Sequence, residues 1–488
     1  MLKEELRELV KQVQTDRCET NRIELKSALQ GCPKKLYDTL SSFSNQDEGG
    51  VIIFGMDESN FTVCGVYDAN DLQKKVNAKC KEMVPAVRAH MSVCTIDEHQ
   101  VVSAEIPGVD YAQRPVYYSG KGIIKGSYVR SGDSDEPMSE YEVYKYQAYK
   151  KGIHEEQRIV EDGWILQDED RLKKYLGEIK KDRPNLFSTL SDREILKMMK
   201  VEKEMQPTMA GLFVFSKFPQ GAFPDLCVTA VVIPGISRGD EADGGVRFLD
   251  NRRITGAIPE MLEETIEFIT KNSRRRTIID QNGKRVDEPE YPVRAVRELI
   301  LNALIHRDYS IYTENSPIRV EMYNDRLEIT NSGGIYGRMP VEKLGFESPE
   351  TRNSVLTNIL EVLGYSENRY SGIPVIRNEM AKRGLPAPEF IDTHREFKAI
   401  LRSTVPENQE KPLSTMPEDW TSLLEFCRQP RSRKEIAEYM GKTQNYVMQQ
   451  VINPLIEKKV LKMTLPEKPK SRYQKFVASE EAESYFTV

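Results

Sequence analysis

VRAVRELILNALIHRDY, residues 293–309, is the stretch on which the fold turns. Val293, Val296, Leu299, Ile300, Leu301, Ala303, Leu304 and Ile305 are too many apolar positions for one face. The spacing therefore predicts a long helix buried on most sides. Glu298, Asn302 and His306 fall at i, i+4 and i+8 and share one stripe. A helix of this kind either turns that stripe to solvent or holds a ligand with it, and the surrounding apolarity favours a ligand or metal. A carboxylate there would serve a water or a cation, and an amide oxygen a metal.

Downstream, IRVEMY and RLEIT read as strands around Asn324-Asp325. The second runs into Asn331-Ser332-Gly333-Gly334, whose glycines let backbone approach a ligand. SPETRNSVLTNILEVLGY (348–365) reads as helical, and NRYSGIPVIRNEM (368–380) as a glycine-bearing turn before another helix. Helix starts that follow glycine turns suit phosphates. Upstream, LFVFSK (212–217) and LCVTAVVI (226–233) read as buried strands, 237–248 as an exposed loop, and 259–271 as a helix ending at Arg274-Arg275-Arg276. Ser191-Asp192-Arg193-Glu194 is a capping box opening a helix through Met199.

These motifs together resemble the divergent ATP-binding domain of the gyrase, heat-shock chaperone, histidine kinase and MutL superfamily, called GHKL. The branch it is similar to is fused to AlbA-type domains and often labelled RecG-like, a label that does not make a helicase. The resemblance spans roughly 205–400, including PTMAGLFVFSKFPQGAFPD, and implies an α/β sandwich. It implies that Glu298 orients water, as a candidate ATPase base, and that Asn302 holds magnesium. His306, Arg307 and Asp308, with Tyr309, resemble the branch's signature. Asn331, Gly333, Gly334, Arg352, Asn353, Ser371 and Gly372 would complete a site for ATP or another nucleotide with Mg²⁺. The relatives' adenine-reading aspartate is absent, and Tyr370 replaces a lid glycine.

The first 155 residues open with an amphipathic helix (Leu2, Leu6, Leu9, Val13). Short strand-like runs follow: RIELKSA (22–28), GVIIFGM (50–56), TVCGV (62–66), VVSAEI (101–106), RPVYY (114–118) and SYVR (127–130). A helical stretch near 71–90 interrupts them, so this segment is α+β. Alternation puts Ile23 and Leu25 on one face of the first strand, and Arg22, Glu24 and Lys26 on the other. Glu19 lies five residues before Glu24, and Asp57-Glu58 follows GVIIFGM. Such acids either hold a divalent cation for phosphodiester chemistry or are exposed charges on a half-buried sheet, and spacing alone favours the second.

ETNRIELKSA (19–28), SSFSNQDEGGVIIFGMDE (41–58), CGV (64–66) and RPVYYSGKGIIKGSYVRSGDSDEPM (114–138) resemble the Schlafen or AlbA-type nucleic-acid-binding domain. The resemblance implies that Glu19, Glu24 and Asp57 match the metal-binding acids of Schlafen nucleases, although regulators not known to cut share the motif. Lys26, Lys34, Lys35, Lys125 and Arg130 are candidates for phosphate contacts, or plain surface charges.

Composition bounds the rest. The 488 residues predict two to four domains, and 39% hydrophobic with 30% charged residues is a polar-surfaced, folded composition. No stretch approaches the roughly 18–20 apolar residues of a membrane span, and the first turns mix acids and bases as no secretory signal does. Seven cysteines, never spaced CxxC, point to a reducing cytoplasm, and five scattered histidines argue against a His-built metal site. No GxxxxGK[ST] occurs, which disfavours a P-loop motor, and Ile96-Asp97-Glu98-His99 reads as a turn between strands.

Residues 403–417, with three prolines, form the clearest linker. Beyond it, 428–475 carries twelve Lys/Arg against four Glu in a chain of net charge −6. A helix from Ser432, a turn at Gly441, a helix over 443–458 and strands VLKMTL (460–465) and YQKFVA (473–478) predict a winged helix. Its groove-facing candidates are Gln444 and Asn445, and its wing candidates Lys468, Lys470 and Arg472. A protein-docking winged helix is the other reading, and Pro454 would bend the second helix.

The expected organisation is therefore an α+β multidomain chain. It comprises a Schlafen/AlbA-like domain (1–155), a helical connector (156–204), a GHKL-like domain (205–402), a linker (403–417) and a winged helix-turn-helix (418–488). The expected function is that of a cytoplasmic, nucleotide-responsive DNA- or RNA-binding protein, transcriptional-regulator-like, forming a dimer or larger homo-oligomer. The competing reading is a metal-dependent nuclease gated by nucleotide, in phage defence. A third is an ATP-dependent assembly scaffold.

Overall fold

The computed structural model describes residues 2–242, 244–279, 285–366, 372–403, 423–440, 447–457, 460–465 and 474–479. The chain divides into two compact units, Met1–Ser403 and Thr404–Val488. The whole is a mixed α+β protein with several sheets.

The first lobe of the larger unit is a four-stranded sheet in the order Ile23–Lys26, Gly50–Phe54, His99–Ile106, His90–Ile96. The first pair is parallel and the others antiparallel. Alternation along these strands fills two separate cores. Leu25, Ile53, Met56 and Val101 face the helix Lys3–Asp16 through Leu6, Val10 and Val13. Ile52, Phe54, Val102 and Ala104 face the helices Tyr37–Ser44 and Ala69–Lys81. Gly49 has φ +68°, and a methyl there would stand 2.1 Å from the Ile106 carbonyl, so only glycine turns the chain into the second strand. Leu2, expected on the apolar face of the first helix, is 68% exposed, because that helix closes its core one turn further in.

The second lobe is built on a six-stranded sheet: Asp250–Ile254, Val228–Val232, Ile318–Met322, Arg326–Ser332, Glu396–Arg402, Glu389–Asp392. Only Val228–Val232 and Ile318–Met322 run parallel. The helices Ile258–Asn272, Val293–His306 and Gly372–Lys382 share its large apolar core. Charged residues on the strands are tied by ion pairs: Arg238–Glu321 (2.5 Å), Arg326–Glu328 (2.6 Å), Lys398–Glu328 (2.7 Å) and Arg319–Glu396 (2.9 Å). These pairs let Glu321 and Glu328 be buried without stranding a charge.

The helix Glu140–Lys151 ends the first 155 residues, and the connector includes the helices Glu169–Asp182 and Asp192–Met198, the last opened by the Ser191/Glu194 capping box. Buried Glu156 accepts from the Val355 and Leu356 amides at 2.9 and 2.7 Å. It thereby caps the helix Ser354–Val362, whose N-cap residue, Asn353, makes no side-chain cap.

LFVFSK is not a strand. Met209–Phe215 is a fully buried helix, opened by Thr208, whose hydroxyl accepts from the Gly211 amide. A segment surrounded by core on every side shows no period, so apolarity alone could not separate helix from strand. TVCGV contributes one bridge, Met56 to Val63, and RPVYY only the two-residue strand Tyr117–Tyr118. The helical stretch near 71–90 stops at Lys81, and a strand begins at His90.

In the smaller unit, Arg431–Ser432, Lys475–Ala478 and Leu461–Met463 form a three-stranded sheet in that order. It is accompanied by the helix Arg433–Met440 and a core that includes Val447, Val451 and Leu455. Met448–Ile452 is wound as a π-helix directly ahead of Asn453–Glu457, where Pro454 withholds an amide donor. Gln444, Asn445, Lys468, Lys470 and Arg472 lie outside the described residues, as does most of the predicted linker.

Candidate functional site

The helix Val293–His306 buries Ala295, Val296, Leu299, Ile300, Leu301, Ala303, Leu304 and Ile305. One stripe of the rest, Glu298, Asn302 and His306, lines a cavity of about 170 Å³. Three distant segments complete the wall. Asn331, Gly333, Gly334 and Tyr336 leave the strand Arg326–Ser332, Glu347 and Glu350 come from the following loop, and Gly372 begins the helix Gly372–Lys382. The sheet closes the floor with Ile329, Phe397 and Ala399.

The polar heads converge on Gly372. A methyl placed there would lie 3.1 Å from Glu298 Oε2, 3.3 Å from Asn302 Nδ2 and 3.8 Å from Asn302 Oδ1. A carboxylate stands beside an amide whose oxygen reaches the same point when the group is turned over, and these are donors a hard divalent cation takes. Asn331 is buried, its amide donating weakly to the Ser332 carbonyl at 3.4 Å. Among the described residues the wall carries acids but no lysine or arginine. Burial, then the charge of Arg352, pulls the His306 pKa down to about 4, so its imidazole is neutral at pH 7.

Four residues expected at the ligand stand behind this wall instead. Arg307 is buried and donates to the carbonyls of Thr313 (3.2 Å) and Ser316 (2.8 Å), fixing the loop after the helix. Asn353 donates to the Ile305 and Arg307 carbonyls at 2.7 and 2.8 Å, satisfying orphan acceptors at the helix end. Arg352 donates to the Gly334 carbonyl at 2.9 Å and pairs with Asp308 at 3.3 Å. Gly333, at φ +86°, leaves the space this guanidinium occupies, since a methyl would come within 2.1 Å of Arg352 Nη1. These four shape the cavity without lining it, because their polar groups turn to backbone, to one another and, for Asp308, to the Tyr141 hydroxyl. Ser371 lies outside the described residues.

In the first lobe the three candidate acids are not gathered. Glu24, 7% exposed, has Oε1 2.7 Å from Lys26 Nζ and Oε2 2.9 Å from Arg130 Nη1. Glu19 accepts from the Leu25 amide at 2.7 Å, and burial raises its pKa. Asp57 turns into its own loop, accepting from the amide and hydroxyl of Ser59 at 2.8 and 2.6 Å. Among the described residues, no group of three or more His, Cys, Asp or Glu is placed to hold a metal ion. The metal expectation at Glu19, Glu24 and Asp57 is corrected accordingly: two cations already neutralise the central acid.

Arg130 and Lys26 are corrected with them as phosphate contacts. The Arg130 side chain is 1% exposed and also pairs with Asp135 at 3.1 Å, while Lys26 also pairs with Glu58 at 3.1 Å. Lys34, Lys35 and Lys125 are exposed. Sequence reasoning missed Tyr336, Glu347 and Glu350, which sit in no motif. It also passed over the helix EYEVYKYQAYKK (140–151), whose four tyrosines in twelve residues were a visible signal.

Residues 19–139 match the family described as "Schlafen, AlbA_2". Residues 315–401 match the one described as "Putative ATP-dependent DNA helicase recG C-terminal". No curated protein matches the sequence. Seven solved chains do. The DIP2311 protein from Corynebacterium diphtheriae is 16% identical, covering 99% of this chain and 98% of its own, with TM-score 0.40. The N-terminal domain of a putative ATP-dependent DNA helicase RecG-related protein from Nitrosomonas europaea is 24% identical, covering 26% of this chain and 90% of its own, with TM-score 0.22.

Proposed function

We propose that this protein binds a nucleotide, ATP first among candidates, between the helix Val293–His306 and the turn at 331–336, and uses it to tune its hold on DNA or RNA. One observation carries the reading: Glu298, Asn302, Asn331, Gly333, Gly334 and Gly372, drawn from three separate segments, surround one cavity. A largely apolar floor with a few convergent polar groups suits a flat heteroaromatic base. Glu298 and Asn302 would hold Mg²⁺, which supplies the positive charge that a polyphosphate needs beside an acidic wall. Both segments that match known families belong to nucleic-acid-related descriptions, and exposed Lys34, Lys35 and Lys125 stand ready for phosphates.

Titration calorimetry with ATP, ADP and GTP, with and without Mg²⁺, tests the reading. Saturable binding that requires Mg²⁺ and is lost in Asn302→Ala supports it, and no heat under any condition overturns it. The nucleic-acid half is tested by fluorescence anisotropy with labelled single and double strands across a salt series. Binding that weakens as salt rises and leaves the strand intact is the expected outcome. A nuclease built on Glu19, Glu24 and Asp57 has less support, because Glu24 is committed to Lys26 and Arg130. Among the described residues no helix is long and apolar enough to cross a membrane.

A further inference from the structure

The helix Glu140–Lys151 follows the first lobe in sequence and touches both that lobe and the cavity wall. On one side, Tyr146 and Tyr149 pack their rings against Tyr111, each with centroids 4.9 Å apart. On the other, Tyr149 donates its hydroxyl to Glu350 at 2.6 Å and meets the Tyr336 ring at 5.3 Å. Tyr141 donates to Asp308 at 2.7 Å, and the same carboxylate holds Arg352, which reaches the Gly334 carbonyl. Glu350, Tyr336 and Gly334 all line the large cavity.

The helix makes a third connection through the loop at 393–395. Lys145 donates to the His394 carbonyl and Glu142 pairs with Arg395 at 3.4 Å, while the Arg395 carbonyl accepts from the Gly333 amide at 2.7 Å. A second cavity of about 30 Å³ lies at this junction, lined among others by Tyr111, Lys145, Asp308 and Arg352. Tyr336 lines both cavities. A side chain with open space on two sides has room to move, which a close-packed one lacks.

We infer that occupancy of the large cavity is read out by this tyrosine helix and passed to the first lobe. A ligand that presses on Tyr336 and the Gly333-Gly334 turn displaces Glu350 and Arg352, and the helix re-seats against Tyr111. The device regulates the proposed nucleotide site and rests on that reading. It requires the ligand to favour one seating of the helix over the other, since a ligand indifferent to the two shifts nothing. By linkage, whatever fixes the helix from the first lobe changes nucleotide affinity by the same factor.

Amide hydrogen exchange on the full chain, with and without Mg-ATP or Mg-ADP, tests it without knowledge of any nucleic-acid target. The expected result is a change of about fivefold or more, the low end of ordinary coupling, both at 298–306 and 331–336 and at 140–151. In Tyr141→Phe and in Tyr149→Phe, each checked by its melting temperature, the response at 140–151 shrinks while that at the cavity persists. A response at the cavity with none at 140–151 overturns the inference and leaves the nucleotide site standing, as does a response at 140–151 that both variants retain in full. No response at the cavity with either nucleotide removes the site and the inference together.

Discussion

Replacing Glu24 by glutamine separates a structural acid from a catalytic one. Glutamine keeps the shape of the side chain, removes its charge, and turns an amide nitrogen toward either Lys26 or Arg130. Breaking a buried ion pair by removing one partner costs about 3–5 kcal/mol when the survivor is left alone. Here the survivors keep one partner each, Asp135 for Arg130 and Glu58 for Lys26, so the expected loss is about 2–3 kcal/mol. In a lobe of roughly 150 residues that lowers the melting temperature by about 4–12 °C. Glu19→Gln makes the control. Its oxygen still accepts from the Leu25 amide, and burial already disfavours the charge it gives up, so the melt should stay within about 2 °C of wild type. Calorimetric melts of the three proteins at pH 7 in one buffer decide the matter. Should Glu24→Gln melt with wild type, or Glu19→Gln prove the more damaged, the buried-network argument is wrong. If the expected order is found, lost cleavage in Glu24→Gln does not separate chemistry from a disturbed lobe, and Glu19→Gln is the cleaner variant for an activity assay.

Asn302→Ala, which empties one polar head beside Gly372, is expected to weaken Mg-ATP binding about tenfold or more by calorimetry, with the melting temperature of the apo protein unchanged within about 2 °C. His306 makes stability depend on pH. Its folded pKa, about 4, lies below its ordinary 6.5, so the unfolded chain binds the proton first, and stability present above pH 6.5 falls away as pH drops toward 4. The loss is at most about 3 kcal/mol. Urea melts at pH 7.5 and pH 5 should show His306→Asn losing less than wild type over that interval, and equal losses would contradict the assignment. Gly333→Ala, at φ +86° and against Arg352, is expected to cost about 2–4 kcal/mol and to weaken nucleotide binding with it. Full nucleotide affinity in that variant would show that the Arg352 contact does not set the wall.

The candidate site was legible because it violates the pattern around it. Three polar residues stacked in one stripe of a helix buried on most sides cannot be explained by the core, and glycines that break a strand at 333–334 or open a helix at 372 mark where backbone must pass close to something. Such signals are local, confined to a window of ten or fifteen residues, and survive without knowledge of the fold. The roles of Arg130, Arg307 and Arg352 were not legible, for the opposite reason. An arginine in sequence is a free cation, and whether it meets phosphate or is consumed internally depends on partners such as Glu24, 106 residues before Arg130. Met209–Phe215 was illegible in a third way, since burial on all sides erases the periodicity that separates helix from strand.

The tyrosine helix joins these lessons. Its residues show no apolar face, and Tyr141 and Tyr149 find their partners 167 and 201 residues later, at Asp308 and Glu350. Contacts of that span cost loop-closure entropy only logarithmically, so a domain junction can be assembled from positions that share no local pattern. What sequence reading identifies is therefore the chemistry a cavity can do. What it leaves out is how the rest of the chain would notice that chemistry, because that is written in pairings between hydroxyls and carboxylates that only the fold brings together.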